Sequence, residues 1–220
     1  MKKANYLIAF FAAIIVTSCG GDVKNPAEIS EALEPGEKPE NAIEKSIDAK
    51  KSTVAWEGDK VVGSPHDGTI NVKSGELYIV DDYLVGGRVV IDMNTIVVLD
   101  IENPASNARL KSHLESDDFF SVETFPEAYF DMARIERIAD AKEDEPNYIV
   151  KGNLTIKGIT HGFSFPAHVS LKDDKLHAKA DFSFDRTLYD VRFGSGKFFD
   201  NLGDNMIKDH INMGLNIVAK

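Results

Sequence analysis

Four side chains invite a reading as one reactive cluster: His66, His113, Asp117 and Asp118. Imidazole nitrogens and carboxylates are the donor set of zinc and of general acid–base chemistry. Their spacing argues against both. No HxH or HExxH pattern puts two imidazoles on one element, so a metal site would have to be assembled by tertiary contacts alone. The plain reading of His113 is a cation near a helix C-terminus, and no metal is expected. Nucleophilic chemistry finds no better support. There is no GxSxG elbow, no phosphate-binding loop, and no cysteine after Cys19. Carboxylates are abundant because the chain is acidic, with 36 Asp and Glu against 25 Lys and Arg, and an acidic surface supplies them without chemistry. The chain is expected not to be an enzyme. A hydrolase acting on lipid or glycan through Asp117, Asp118 and His113 is the weakest of three readings.

The sole cysteine has a more specific context. Lys2 and Lys3 precede an apolar stretch from Tyr6 to Val16, and Val16-Thr17-Ser18-Cys19 follows. A basic start, a short apolar run and small residues before a cut describe a secretory signal. The run is too short for a bilayer, which needs roughly 20 residues. The cysteine at the cut resembles the bacterial lipobox, with Val16 in place of the commoner leucine. That resemblance implies removal of residues 1–18, acylation of Cys19 (palmitate or a similar chain), and a protein anchored outside the cytoplasm, facing the periplasm. Gly20-Gly21 after the cysteine resembles outer-membrane sorting where an outer membrane exists.

Without residues 1–18 the formal balance moves from −11 to −13, because Lys2 and Lys3 are lost. Phosphate backbones would repel such a chain, so no nucleic acid is expected as partner. No internal disulfide is possible, and stability must come from a hydrophobic core. Roughly 200 residues suffice for one domain with a large one.

Residues 19–50 carry Pro26, Pro35 and Pro39, many acids and no aromatic. Such a segment buries too little apolar surface to fold alone and reads as a flexible acidic linker, with a weak helix near Ile29–Leu33 or Ile43–Ile47. From Lys51 to Lys220 the pattern has period two. Leu176, Ala178, Ala180, Phe182 and Phe184 alternate with Lys175, His177, Lys179, Asp181 and Ser183; runs around 148–157, 163–171 and 211–217 do the same. Less regular runs lie at 52–62, 66–73, 75–81, 84–93 and 127–138, with turns expected at Ser74-Gly75, Asp81-Asp82 and Asp173-Asp174. Asn103-Pro104 caps a helix of about 12 residues carrying Leu110 and Leu114 on one face, and Ser116 can cap a further turn with Phe119 and Phe120. The pattern predicts an all-β fold: an antiparallel closed β-barrel of about eight strands with a short helix inserted between strands.

About eight strands enclose an interior that side chains fill or that holds one small ligand. Strands of 10–12 residues make a tall barrel, and Ala178, Ala180 and Gly152 leave space inside. Phe130, Phe163, Phe165, Phe182 and Phe184 either line a tunnel or interlock as a solid core. Trp56 is tunnel wall or ordinary core, and Phe119 and Phe120 are ligand contacts or a plug. Asp185-Arg186 reads as a turn or structural ion pair rather than a headgroup clamp. Gly86-Gly87 suggests a bulge or a close backbone approach.

The order of several motifs resembles a known family. Residues 52–60 read Ser-Thr-Val-Ala-Trp-Glu-Gly-Asp-Lys, followed by Gly63 and His66-Asp67-Gly68-Thr69-Ile70. Then come His113 to Glu123 with Phe125-Pro126, Gly152-Asn153-Leu154-Thr155-Ile156-Lys157-Gly158, Asp185-Arg186 with Tyr189, Gly194-Ser195-Gly196 and Phe198-Phe199-Asp200. Over residues 51–220 this is similar to the YceI-like family of polyisoprenoid-binding, lipocalin-like barrels. Pro65 before His66 and His161-Gly162 after Thr160 depart from the pattern, both near strand ends. The resemblance implies a non-enzymatic lipoprotein without cofactor, often dimeric, that holds a long isoprenoid-type lipid such as a quinone or polyprenyl chain as carrier or reservoir. The lining expected for that lipid is Trp56, Ile70, Phe119, Phe120, Phe130, Leu154, Phe163, Phe165, Phe182 and Phe184. The alternative is a solid-cored barrel acting as an envelope interaction or assembly module.

Overall fold

A computed structural model describes residues 25–220; the acylation expected at Cys19 and the signal expected over 1–18 lie outside the described residues. The chain forms β1 (Glu28–Ser30), β2 (Ile43–Ser46), β3 (Thr53–Gly58), β4 (His66–Val80), β5 (Tyr83–Val98), α1 (Pro104–Glu115), β6 (Glu127–Arg137), β7 (Tyr148–Ile156), β8 (Ile159–Lys172), β9 (Lys175–Asp185) and β10 (His210–Ala219). Strands β3 to β10 close an antiparallel barrel in the order β8-β7-β6-β5-β4-β3-β10-β9, with β9 returning to β8. Alternation decides which faces go inward. Val54, Val150 and Phe165 are buried between wetter neighbours, and Phe163, Phe182 and Phe184 are buried too, although Ser183 between the last two is covered by the wrapping segment on the outer face. The turns at Asp81-Asp82 and Asp173-Asp174 place both residues at positive φ, 49° and 66° in the first and 50° and 60° in the second. That is the geometry tight hairpins demand and aspartate tolerates.

Two expectations are corrected. No turn forms at Ser74-Gly75: β4 runs straight through, with register shifts against β5 on either side of Asn71–Val72. Glycine in a strand marks a bulge or a close approach as readily as a turn. Here it is an approach, since a Cβ at Gly75 would lie 2.6 Å from Ile47 Cδ1 and 2.4 Å from the Arg88 carbonyl oxygen. Gly86-Gly87 sits opposite Tyr78 and Leu77, beside another shift in the same ladder.

The second correction concerns the linker. Its described part, residues 25–50, is neither a free tether nor helical: it wraps the barrel, with most of its residues still exposed and Lys45 and Ile47 buried. Strands β8 and β9 pair only from His168–Lys179 to Lys172–Lys175. Pro166, which has no N–H to donate, stands at the point where that ladder stops. Above it β1 fills the seam, pairing with β8 from Glu28–Ser164 to Ser30–Gly162. On the other side the Ala27 N–H donates to Ser183 O at 2.9 Å, and Ser183 N–H donates to Asn25 O at 3.2 Å. Ala27 and Ile29 pack against the core through this gap. The Asn153 side chain then clamps Leu33, accepting from its N–H at 2.8 Å and donating to its carbonyl at 2.9 Å. Farther on, β2 pairs with the free edge of β4, Ile43 opposite Ile79. The segment cannot fold by itself, yet two open sheet edges supply the partners its composition lacks.

The helix forms as its caps dictate. Asn103 Oδ1 accepts from Ser106 N–H at 3.0 Å, Pro104 opens the first turn, and Ser116 ends the helix with its N–H on His113 O. A tight turn follows in which Phe119 N–H donates to Ser116 O at 3.0 Å.

One glycine is sterically obligatory. At Gly68 a Cβ would lie 1.9 Å from the Val97 carbonyl oxygen and 2.6 Å from Trp56 Cζ2. Neither backbone nor an indole packed against the core can retreat that far without opening β3–β4–β5. Gly68→Ala is expected to destabilise the barrel by about 3 kcal/mol or more, at the upper end of overpacking costs. Chemical denaturation checks this, and a loss below about 1 kcal/mol would contradict it.

Candidate functional site

The barrel is hollow. A cavity of about 540 Å³ runs along its axis, inside the range of about 300–1,000 Å³ typical of small-ligand sites. All ten side chains expected as lining stand on its wall: Trp56, Ile70, Phe119, Phe120, Phe130, Leu154, Phe163, Phe165, Phe182 and Phe184. The two readings of the phenylalanines prove compatible. Phe165 and Phe182 lie 4.6 Å apart between ring centroids, Phe163 and Phe182 5.3 Å, and Phe130 and Phe165 5.4 Å. Interlocked, they form one wall and leave the bore open beside it. Ala128, Ala167, Ala178 and Ala180 border that space. Gly152 does not widen it, because the Phe130 ring sits over that glycine, with Cζ 2.8 Å from where a Cβ would be. Sequence reasoning missed Leu84, Val89, Met93 and Ile96 of β5, which also line the cavity. Their inward sense is hidden by the register shifts in the β4–β5 ladder.

Apart from Lys179 on β9, the charged and amide side chains of the lining lie at one end. Asp59, Lys60, His66, His113, Arg186 and Asn205 border the cavity where β3 ends, β4 begins, α1 ends and the segment after β9 crosses. The helix covers this end through Leu110 and Leu114. His66 Nδ1 meets Asp100 Oδ2 at 2.7 Å, and His113 Nε2 meets Asp118 Oδ2 at 3.1 Å. The four residues weighed as a metal or acid–base cluster therefore fall into separate pairs, with Asp117 exposed. Among the described residues no three His, Cys, Asp or Glu side chains converge to hold a metal.

Asp185-Arg186 builds the frame of the mouth. Asp185 Oδ1 accepts from the Thr187 N–H at 2.9 Å and from its hydroxyl at 2.6 Å, capping a short 3₁₀ turn over Arg186–Tyr189. Burial alone would push the Asp185 carboxyl up, but donation from Lys197 and Thr187 outweighs it and holds the group below the usual aspartate range. A carboxyl depressed in the folded state contributes stability that is complete above its unfolded value, about 3.9, and lost as pH falls through the folded value. Asp185→Asn is therefore expected to flatten the decline in melting temperature below about pH 4, with no change in the slope above it. Calorimetric scans across pH 2–7 read this out, and an unaltered acid limb would contradict it.

A closed antiparallel barrel with an apolar bore and a polar mouth is a lipocalin-like barrel by architecture. The chain belongs to the YceI-like family: the family's YceI-like domain profile matches residues 46–219. The wrapping segment before residue 46 lies outside that match. Among solved structures the chain is similar to BcnA of Burkholderia cenocepacia, with 20% identity and a TM-score of 0.61 over 79% of this chain and 99% of that one. It is also similar to a polyisoprenoid binding domain from Saccharophagus degradans implicated in plant cell wall breakdown, with 14% identity and a TM-score of 0.57 over 80% and 97% of the two chains. At these identities the likeness is one of fold. No curated protein matches the sequence.

Proposed function

We propose that this protein is a membrane-tethered carrier or reservoir for a long isoprenoid-type lipid, a polyprenyl chain or quinone, and has no catalytic activity. The observation that carries the reading is the segregation inside the barrel. An apolar bore of about 540 Å³ is capped at one end by Asp59, Lys60, His66, His113, Arg186 and Asn205. A tail buries in the bore, and a polar headgroup stays at the mouth. Burying about 400 Å² of chain at about 25 cal/mol/Å² yields roughly 10 kcal/mol before the costs of association, so no charged contact is needed for affinity. The binding activity of the Saccharophagus degradans domain supports the same ligand class. The lipobox-like run ending at Cys19 supports acylation and an address on the extracytoplasmic side of a membrane. An open bore speaks against the solid-cored interaction module.

The test is organic extraction of protein purified from membranes, with mass spectrometry of the extract and native mass spectrometry of the intact protein. A polyprenyl or quinone species at near one per barrel is expected, and the native spectrum also reports the subunit number. Recovery of no hydrophobic molecule, with no uptake of added ubiquinone or polyprenol, would sink the reading.

A further inference from the structure

The mouth end of the barrel is also its greasiest outer surface. Val61 and Val62 are 52% and 55% exposed, and Phe198 and Phe199 are 45% and 48% exposed. Scattered apolar side chains are ordinary on a protein surface, but clustered ones mark an interaction site. These four fall on two segments that are held together at the mouth. Val61 N–H donates to Met206 O at 2.8 Å, which holds the β3–β4 loop against the segment that follows β9. Phe198 and Phe199 belong to that segment, both donating through their N–H groups to Ser195 O at 3.1 Å. Arg192 lays its guanidinium 4.8 Å above the Phe198 ring. Phe193 joins the outside to the inside. It is partly exposed, lines the bore, and packs on His113 and Phe119 with centroids 4.5 and 5.5 Å away. Phe193, next to the Arg192 that stacks on Phe198, thus leads from the rim segment into the cavity.

The far end is different in kind. Its turns are Asp81-Asp82 and Asp173-Asp174, and its loops carry interleaved charges, with Lys45 on Asp174, Lys142 on Glu145 and Lys220 on Asp48. Chain length is compatible with seating the other end on a membrane. Asn25 docks on β9 through a hydrogen bond to Asp181 O at 3.4 Å, four residues short of the strand's mouth end at Asp185, or about 13 Å. The six residues from Cys19 to Asn25 reach about 20 Å when extended. A lipid on Cys19 and the rim can therefore meet one bilayer.

We propose that the rim formed by Val61, Val62, Phe198 and Phe199 is a bilayer-docking surface. It seats the open barrel on the membrane so that an isoprenoid tail passes into the bore without crossing water. The proposal rests on the lipid-carrier reading and adds where the cargo enters and what the rim touches. Phenyl rings and valines enter the headgroup boundary, while Arg192 keeps its charge at the phosphate level.

Two measurements test it separately from the carrier reading. In the first, nitroxide labels are placed on the acylated full chain at Asp200→Cys, beside the rim, and at Asp173→Cys, at the far end. The protein is bound to phosphatidylethanolamine–phosphatidylglycerol vesicles. Depth measured from oxygen and nickel-chelate accessibility should put the first label at or below the phosphates and the second in water. A rim label in water overturns the proposal whether or not the protein carries lipid. In the second, a Val61→Ser/Val62→Ser/Phe198→Ser/Phe199→Ser variant receives a fluorescent polyprenol either from detergent micelles or from the same vesicles. Uptake from micelles should match wild type, and transfer from vesicles should slow at least tenfold. Equal vesicle transfer overturns docking. Failure of the wild type to take up cargo from micelles overturns the carrier reading instead. Conversion of a native dimer to a monomer in the variant, with label depth in water, assigns the rim to a second copy and overturns docking. A melting scan of the variant confirms that the barrel is intact.

Discussion

Arg186→Met is expected to cost about 3–5 kcal/mol of folding free energy, the usual penalty for breaking a buried ionic network by removing one partner. The guanidinium is 3% exposed. Its Nε donates to Lys208 O at 3.1 Å, Nη1 to Val191 O at 2.6 Å and Nη2 to Ile207 O at 3.4 Å, and Asp209 Oδ1 lies 3.9 Å from Nη2. Burial pulls the arginine's pKa down, and Asp209 and Asp185 push the other way. One side chain thus ties the start of the segment after β9 to its end, and closes the frame of the mouth. Methionine fills much of the same volume but leaves one buried and two half-buried carbonyls without that donor, and a buried acceptor so orphaned costs about 1–3 kcal/mol unless the segment opens to water. For a domain of this size the melting temperature should fall by roughly 10 °C. Hydrogen exchange should rise first over residues 191–208, ahead of the strands. Arg186→Lys retains charge without the planar fork and should fall between. A loss for Arg186→Met below about 1 kcal/mol, with residues 191–208 still protected, would show that the network is dispensable.

The contrast between Arg186 and the strands explains what the sequence discloses. Period-two runs such as Leu176–Phe184 are legible because each residue's face follows from its immediate neighbours. Asp81-Asp82 and Asp173-Asp174 are legible because tight hairpins require positive φ and few residues accept it. The Asn103-Pro104 cap is equally local. Nothing local announces that Arg186 will meet carbonyls of Val191, Ile207 and Lys208, or that Lys60 and His113 will share a mouth. Ser74-Gly75 misleads because the same dipeptide serves a turn and a close approach; only the position of Ile47, a residue of the wrapping segment, decides. That segment is illegible for the same reason. Ala27, Ile29 and Leu33 are too few to fold a segment, but enough to seal a seam that Pro166 leaves open. The openness of the bore is the hardest property to read. It depends on the volume left after five phenyl rings have packed against one another, and Phe130 covering Gly152 shows that a small residue on an inward face need not leave a hole.

That remaining volume is what Ala128→Phe/Ala180→Phe would remove. Both alanines are buried and border the cavity, on β6 and β9. In a solid core two added rings would force strain of about 1–3 kcal/mol each. In a bore of about 540 Å³ they enter open space and bury apolar surface, each contributing about 1.5–3 kcal/mol. The lipid-free variant should therefore melt at or above the temperature of lipid-free wild type, while its lipid content falls at least tenfold. Comparison after extraction matters, because a bound lipid stabilises wild type by mass action and would mask the gain. Loss of lipid together with a large loss of stability would indicate misfolding, and Ala128→Leu with Ala180→Leu would then separate volume from strain. A variant that still copurifies with lipid at one per barrel would show that the cargo does not lie in this bore. Retained stability with lost cargo is the combination that a hollow carrier predicts and an interaction module does not. In a module without cargo, filling the interior would alter stability alone.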